Sequence, residues 1–276
     1  MPSPAASLPK PKVKLLPELP AMAYVAQGKG PPVVLVHGSL CDYRYWTPQL
    51  KTLPTRYHCH APSLAHYYPP LASAQGTVFS WQAHVTQLSA FIEALGLGPV
   101  HLVGHSRGGG IAYQLALAHP HLLRSLVLLD PGGPVGEAQG LAEDQAELRA
   151  EAARLVTEGD ADAGLRIFID AVSRPGFWDK SDADFRRMTR DNAATLPLQL
   201  QDPMPAYEAE TACTLRCPTL LVDGELSPAS FRETVASLAE WLPMAEQITI
   251  AGASHGMSLT HAGAVNRALM AFWQNV

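Results

Sequence analysis

Val100-His101-Leu102-Val103-Gly104-His105-Ser106-Arg107-Gly108-Gly109-Gly110-Ile111-Ala112-Tyr113 is the stretch on which the reading of this chain turns. An apolar, strand-like run from Val100 to Val103 meets Gly104-His105-Ser106-Arg107-Gly108, and small helix-compatible residues follow at once. A G-x-S-x-G pattern in a strand–turn–helix setting places a serine hydroxyl on a sharp, exposed turn. Gly104 and Gly108 suit that turn, because a tight strand-to-helix reversal crowds the backbone around the serine. The new helix directs its positive end at the same point.

Working outward, Pro32–Val36 reads as a short buried strand running into His37-Gly38-Ser39, and Arg56–Ala61 as another strand. Between Phe79 and Leu95 the apolar residues Val85, Leu88, Phe91, Ile92 and Leu95 recur like one helix face, with Gly96 as the stop. The helix that follows the Ser106 turn (the elbow) spans Arg107 to His119, and Leu126–Leu129 is a buried strand ending at Asp130-Pro131-Gly132-Gly133. Val13–Leu16 and Ala21–Ala26 are expected to form an opening hairpin. Continuous apolar strands alternating with amphipathic helices imply a mostly parallel sheet covered on both faces.

That alternation stops from about residue 134 to residue 213, where the chain reads as helical and polar-rich, divided by Pro175, Pro197, Pro203 and Pro205. It resumes with strand Thr219–Val222, helix Ser230–Trp241, strand Gln247–Ile250, then Gly252-Ala253-Ser254-His255 and a helix from Ala262 to Gln274. A helical insertion between two halves of one sheet is expected to cap the sheet's carboxyl edge, where open α/β sheets place their ligands. The expected division is an N-terminal arm over 1–20, a core over 21–133 and 214–276, and a helical cap over 134–213.

Composition agrees with a compact enzyme. The 276 residues are 47% hydrophobic and only 16% charged, against about 25% charged in an average globular protein. A net charge of −5 without a basic run argues against nucleic acid as a partner. No apolar run reaches the ~20 residues of a membrane span. The first twelve residues, rich in Pro, Ser and Ala, lack a signal-peptide core, so a cytoplasmic protein is expected. Cys41, Cys59, Cys213 and Cys217 read as reduced thiols. Cys213 and Cys217 have no second Cys/His pair nearby at ligand spacing, so neither a metal nor a cofactor is expected.

A serine hydroxyl needs a base within hydrogen-bond reach. Of eleven histidines, His255 stands on the loop after the last strand, at the same sheet edge as Ser106 and in the order Ser…His that this geometry requires. His37 reads as structural, the His105 side chain is expected to point away from the nucleophile's face, and His101, His119 and His121 read as packing or surface residues. An acyl-transfer intermediate also needs backbone N–H donors for its oxyanion. Arg107, just after the nucleophile, and Ser39, after the Pro32–Val36 strand, are the candidates.

Val36-His37-Gly38-Ser39, Gly104-His105-Ser106-Arg107-Gly108 and Gly252-Ala253-Ser254-His255 stand in the order found in the α/β-hydrolase fold superfamily. Over roughly residues 21–275 the chain resembles its cap-bearing serine hydrolases and esterases. The resemblance implies an eight-stranded, mostly parallel sheet with helices on both faces and a cap after strand six. Two departures stand out. Where many members carry a triad acid after strand seven, this chain has Gly224-Glu225-Leu226-Ser227-Pro228, and a hydroxyl cannot balance an imidazolium. Asp130, after strand six, is therefore the favoured acid, as in relatives that hold the acid there, with Glu225 the runner-up and Asp223 set too deep in its strand. After the fourth strand, Pro62-Ser63-Leu64-Ala65-His66-Tyr67-Tyr68-Pro69-Pro70 replaces the usual motif and is expected to border the pocket.

The function expected is cleavage of a small-molecule carboxylic ester or lactone by Ser106, His255 and Asp130. Carbon–carbon bond hydrolysis of the meta-cleavage type, cofactor-free haloperoxidase-like chemistry, and a small-molecule receptor with a retained triad are the alternatives. In the cap, Phe168, Phe177, Trp178, Met188 and Met204 are candidates for either cavity wall or packing. The Arg107 side chain is expected to meet a substrate carboxylate or an acid of the cap.

Overall fold

A computed structural model describes residues 8–136 and 143–276. The first seven residues of the expected arm and residues 137–142 of the expected cap lie outside them. Chain order is β1 (Lys12–Leu16), β2 (Leu19–Gln27), β3 (Pro32–Val36), α1 (Thr47–Thr52), β4 (His58–Pro62), α2 (Trp81–Leu95), β5 (Val100–His105), α3 (Arg107–Ala118) and β6 (Leu123–Leu129). Six helices follow: α4 (Glu143–Thr157), α5 (Ala161–Val172), α6 (Phe177–Lys180), α7 (Ala183–Asp191), α8 (Thr195–Leu200) and α9 (Ala209–Ala212). The chain then completes β7 (Thr219–Gly224), α10 (Ala229–Trp241), β8 (Ala245–Ile250), α11 (Met257–Thr260) and α12 (Ala262–Trp273).

The eight strands form one sheet in the order β1-β2-β4-β3-β5-β6-β7-β8. Only β2 runs antiparallel to its neighbours β1 and β4; β4, β3, β5, β6, β7 and β8 are mutually parallel. The opening hairpin is therefore part of the sheet. It begins at Lys12, so the arm expected over 1–20 gives up its last residues to β1 and to the start of β2.

Alternation along the strands divides the core. Val34, Val36, Leu102, Leu126, Leu128 and Leu221 face one layer, with Leu88 and Phe91 of α2, Ile111 and Leu115 of α3, and Val235 of α10. Val33, Leu35, Val103, Val127, Leu129 and Val222 face the other, with Trp46, Leu50 of α1, and Val265, Leu269 and Phe272 of α12. Successive side chains of a strand leave on opposite faces, so a strand covered on both sides reads as a continuous apolar run. Helix ends are set locally: the Ser80 hydroxyl accepts from Ala83 N–H at the start of α2, and Gly96 at φ 65° closes it. The α4–α9 insertion has its own apolar cluster around Leu165, Phe168, Ile169, Trp178 and Leu196, completed by Leu40 and Phe231 of the core.

The elbow glycines sit where backbone meets backbone. A Cβ at Gly104 would lie 2.4 Å from the Gly108 carbonyl oxygen, and one at Gly108 would lie 2.2 Å from the carbonyl oxygen of His37. Strand β5, helix α3 and the end of β3 thus approach at a distance no side chain allows. Gly108→Ala is expected to cost about 1–3 kcal/mol through the backbone shift it forces. At about 2–4 °C per kcal/mol for a chain of this size, calorimetry checks it; an unchanged Tm would contradict the close approach.

Burial holds several histidines below the ordinary imidazole pKa, His60, His84 and His101 among them. Burial, with His58 and Lys12 adding repulsion, pushes His60 down to about 4. Burial beside Arg107 pushes His84 down to about 3, and burial near Arg124 pushes His101 down to about 4. Below the ordinary imidazole pKa the unfolded chain takes up protons that the folded chain refuses, so stability is full above about pH 6.5 and falls as pH drops toward the folded values. Each group contributes a slope of up to about 1.4 kcal/mol per pH unit in that window. The urea midpoint is expected to be clearly lower at pH 5.5 than at pH 7.5; equal midpoints would mean these rings protonate in place.

Candidate active site

Ser106 occupies the single residue between β5 and α3 at φ 54°, ψ −127°. A positive φ at a non-glycine residue costs of order 1–3 kcal/mol and persists only where its surroundings hold it. Here the Ser106 N–H donates to the Leu129 carbonyl of β6 at 3.0 Å, and its carbonyl accepts from Gly109 and Gly132 N–H, each at 2.8 Å. The serine backbone is thus pinned to two neighbouring elements while its side chain faces a cavity.

The last strand brings the second residue. After β8 the chain reverses through Gly252 at φ 69° and presents His255 just before α11. His255 Nδ1 lies 3.2 Å from Asp130 Oδ2. With Nδ1–H donating to the carboxylate, the Nε2 lone pair is left for another partner. Asp130 follows β6 directly at φ 40°, and its N–H donates to the Val222 carbonyl of β7 at 2.8 Å.

Ser227, the residue that broke the expected pattern after β7, donates its hydroxyl to the same Oδ2 at 2.6 Å and accepts from Gly224 N–H at 3.2 Å. The strand-seven loop therefore still reaches the acid's position, with a donor instead of a carboxylate. The other acid candidates bond elsewhere. Glu225 accepts from Gly252 N–H at 2.7 Å on the exposed side of the turn, and Asp223 faces Arg232 at 3.9 Å.

Two histidines differ in their fate. His37 is structural, as expected: its Nε2 accepts from Leu64 N–H at 3.1 Å and its Nδ1 donates to the Gly38 carbonyl at 2.9 Å. His105 corrects the expectation that it points away from the nucleophile's face. It lines the same cavity as Ser106 and His255, its ring stacked on Tyr45 at 4.7 Å and 4.6 Å from the His255 ring. The cause is the period of two along β5. His105 leaves the strand on the same face as Val103, the face covered by α12 and by the loop that carries His255. Its Nε2–H donates to the His255 carbonyl at 2.8 Å. Burial, reinforced by His255, holds its pKa well below that of a free imidazole.

The cavity encloses about 430 Å³, its open mouth included. Its insertion side is Phe168, Ile169, Val172, Ser173, Phe177 and Phe185; its core side includes Ser39, Cys41, Tyr45 and Leu259 with Ser106, His105 and His255. Among the described residues no Lys, Arg, Asp or Glu lines it. Of the five cap candidates, Phe168 and Phe177 are wall. Trp178 is packed inside the insertion, Met188 joins the α12-side layer, and Met204 packs on Gly110 of α3. Residues 62–70 do not border this cavity. Ser63, Leu64, Ala65, His66, Tyr67 and Pro69 line a separate hollow against β2, and Tyr68 N–H donates to Asn192 of the insertion at 2.7 Å. The loop is a seam between core and insertion.

Ser39 lies on the cavity wall three residues beyond β3. Arg107 opens α3, and its N–H is one of the amides a helix leaves without an intrahelical acceptor. The Arg107 side chain is engaged by an acid of the insertion: its guanidinium pairs with the Asp202 carboxylate, donates to the Asp202 carbonyl at 3.1 Å and lies over the Phe79 ring at 5.3 Å. Cys213 is exposed, while Cys41, Cys59 and Cys217 are buried free thiols. No group of three or more His, Cys, Asp and Glu side chains suited to a metal ion occurs among the described residues. Nor is any described helix long and apolar enough to cross a membrane.

Known proteins resemble the chain along most of its length. It is 26% identical over 251 residues to a 2-hydroxymuconate semialdehyde hydrolase of Pseudomonas sp., covering 85% of this chain and 84% of that protein. It is 22% identical over 262 residues to an (E)-2-((N-methylformamido)methylene)succinate hydrolase of Acinetobacter baylyi, covering 90% and 92%. In structure it is similar to a carboxylesterase of Bacillus subtilis, with a TM-score of 0.81 at 15% identity over 97% of this chain and 92% of that one. The match to the alpha/beta hydrolase family runs from residue 33 to residue 268, and the chain belongs to that family.

Proposed function

We propose that this chain is a serine hydrolase that cleaves a neutral carboxylic ester or lactone through an acyl-enzyme. The observation that carries the reading is the pairing of His255 with the buried Asp130 at a cavity shared with Ser106 and walled, among the described residues, without charge. His255 takes the Ser106 proton as the oxygen attacks the substrate carbonyl. The oxyanion is received by the Ser39 and Arg107 amides, each worth about 2.7–4 kcal/mol of transition-state stabilisation in sites of this type. His255 then protonates the leaving alcohol, and a water activated by the same imidazole releases the acid. Asp130 fixes the ring tautomer and balances the charge formed on it. In this reading residues 134–213 act as the cap that sets specificity, over a core of 21–133 and 214–276.

The wall separates this reading from those suggested by other relatives. Succinate and muconate derivatives carry carboxylates, which call for a cation at the site. Here Arg107 is committed to Asp202 and Arg44 to Asp42 and Asp191. A haloalkane dehalogenase of Bradyrhizobium diazoefficiens, 26% identical over 281 residues and covering 90% of this chain and 89% of that protein, raises dehalogenation. In this fold that chemistry needs a carboxylate nucleophile, and residue 106 is serine.

A fluorophosphonate tests the nucleophile without a choice of substrate. Intact mass is expected to show one adduct on the wild type and none on Ser106→Ala. A folded wild type that takes no label would sink the reading. Given labelling, p-nitrophenyl butyrate is expected to be cleaved with kcat/KM at least about tenfold above the hemisuccinate ester, the discrimination that a desolvated, unpaired carboxylate would impose.

The acid is tested by a pair of variants. Asp130→Asn is expected to lower kcat by about 10⁴-fold, because the amide imposes the wrong imidazole tautomer. Glu225→Gln is expected to leave kcat within a factor of about two, since exposed side chains away from the site have small effects. The reverse ranking would move the acid to the strand-seven loop.

A further inference from the structure

Gln199 and Asp202 stand three residues apart at the end of α8, and each grips the side chain of one proposed oxyanion residue. The Ser39 hydroxyl donates to Gln199 Oε1 at 2.6 Å, and the Gln199 amide donates to Thr195 Oγ1 at 3.3 Å. Arg107 is held through its guanidinium by the carboxylate and the carbonyl of Asp202, with the two side chains only 8% and 13% exposed. The same carboxylate accepts Trp81 N–H at 2.7 Å, so Asp202 joins the N-termini of α2 and α3. A negative charge is favoured at both.

The two grips matter because Ser39 and Arg107 come from different parts of the core, the β3 loop and the start of α3. Backbone donors stabilise an oxyanion only when both are aimed at it beforehand. One short segment of the insertion touches both residues, and it does so from outside the cavity: neither Gln199 nor Asp202 lines it.

We infer that Gln199 and Asp202 are positioning residues that set the Ser39 and Arg107 amides in register, making the docked insertion a working part of the oxyanion site. This inference rests on the serine-hydrolase reading above. Gln199 acts on Ser39 through its hydroxyl, and Asp202 acts on Arg107 through its guanidinium. The effect therefore falls on the transition state and leaves ground-state binding in place.

The test compares a trifluoromethyl ketone, which forms a tetrahedral oxyanion on the serine, with the matching amide, which binds without one. Ser39→Ala keeps the backbone N–H and removes only the tether; Gln199→Ala removes the other end. Each is expected to lower kcat and trifluoromethyl-ketone affinity in parallel by about tenfold, a fraction of the loss of a whole donor. KM and amide affinity should stay within about twofold, and the double variant should be no worse than either single one, as for two ends of one contact. Asp202→Asn should show the same split, with Asp202→Glu recovering part of it. If Asp202→Asn does not fold, the Ser39 and Gln199 cycle decides alone.

Equal losses for ketone and amide, additive single effects, or no loss at all would overturn the inference. A wild type that labels with fluorophosphonate while the variants behave normally overturns only this inference. A wild type that does not label overturns the hydrolase reading, and this one with it.

Discussion

Strands β6, β7 and β8 run parallel and bring their carboxyl ends to one buried carboxylate. Asp130 closes β6, hangs its N–H on Val222 of β7, and accepts from Ser227 after β7 and from His255 after β8. Both side-chain donors converge on Oδ2, and a carboxylate removed from water is costly without such donors, so the loops after β7 and β8 are tied to the end of β6. Ser106 is tied into the same corner through its N–H to Leu129, the residue before Asp130. The sheet register and the candidate site are therefore one constraint. A slip of one residue in β6 would move both the acid and the acceptor that holds the serine turn.

Much of this was legible because strand–turn–helix transitions are local. The Val100 run, the elbow, the Gly252 turn and the strand that ends at Asp130 each carry their own signal within about ten residues, and the structure places them within a residue or three. The Asp130–His255 contact was legible only through what was missing at Ser227, since 125 residues separate the two. The misreadings have tertiary causes. His105 follows the alternation of β5, but which face of the sheet received the His255 loop was not written in the elbow. Residues 62–70 carry the aromatic character of a pocket wall and serve as a seam, because the insertion docks on them through Asn192. Ile169, Val172 and Phe185 line the cavity on the authority of α5 and α7 packing, which periodicity alone could not orient.

The insertion is attached to the core by polar contacts as well as by its apolar cluster. Asn192 donates to Asp42 at 2.7 Å, Arg44 bridges Asp42 and Asp191, and the Ser254 hydroxyl, beside His255, donates to the Ser173 carbonyl at 3.0 Å. An apolar seam would tolerate sliding, whereas buried hydrogen bonds have one register and leave unpaired groups if it is lost. The polar seam thus fixes where Phe168 and Phe177 stand relative to Ser106. That gives an otherwise greasy cavity a defined shape.

His105 shows why a second imidazole can sit beside the proposed base without competing with it. Two positive rings 4.6 Å apart would repel by about 4 kcal/mol at an effective dielectric of 20. His255 must become cationic in the proposed cycle, so its neighbour has to stay neutral. Burial does this, and the geometry completes it: the His105 donor at Nε2 is spent on the His255 carbonyl, and its Nδ1 is enclosed without a partner among the described residues. Phe231 also stacks on His255 at 4.0 Å, and it cannot titrate at all. The imidazole thus has a neutral ring and an apolar one against it, and among the described residues its one charged hydrogen-bond partner is Asp130 at Nδ1. In the proposed cycle, charge that develops on it is answered by Asp130, and the nitrogen left to take the Ser106 proton is Nε2.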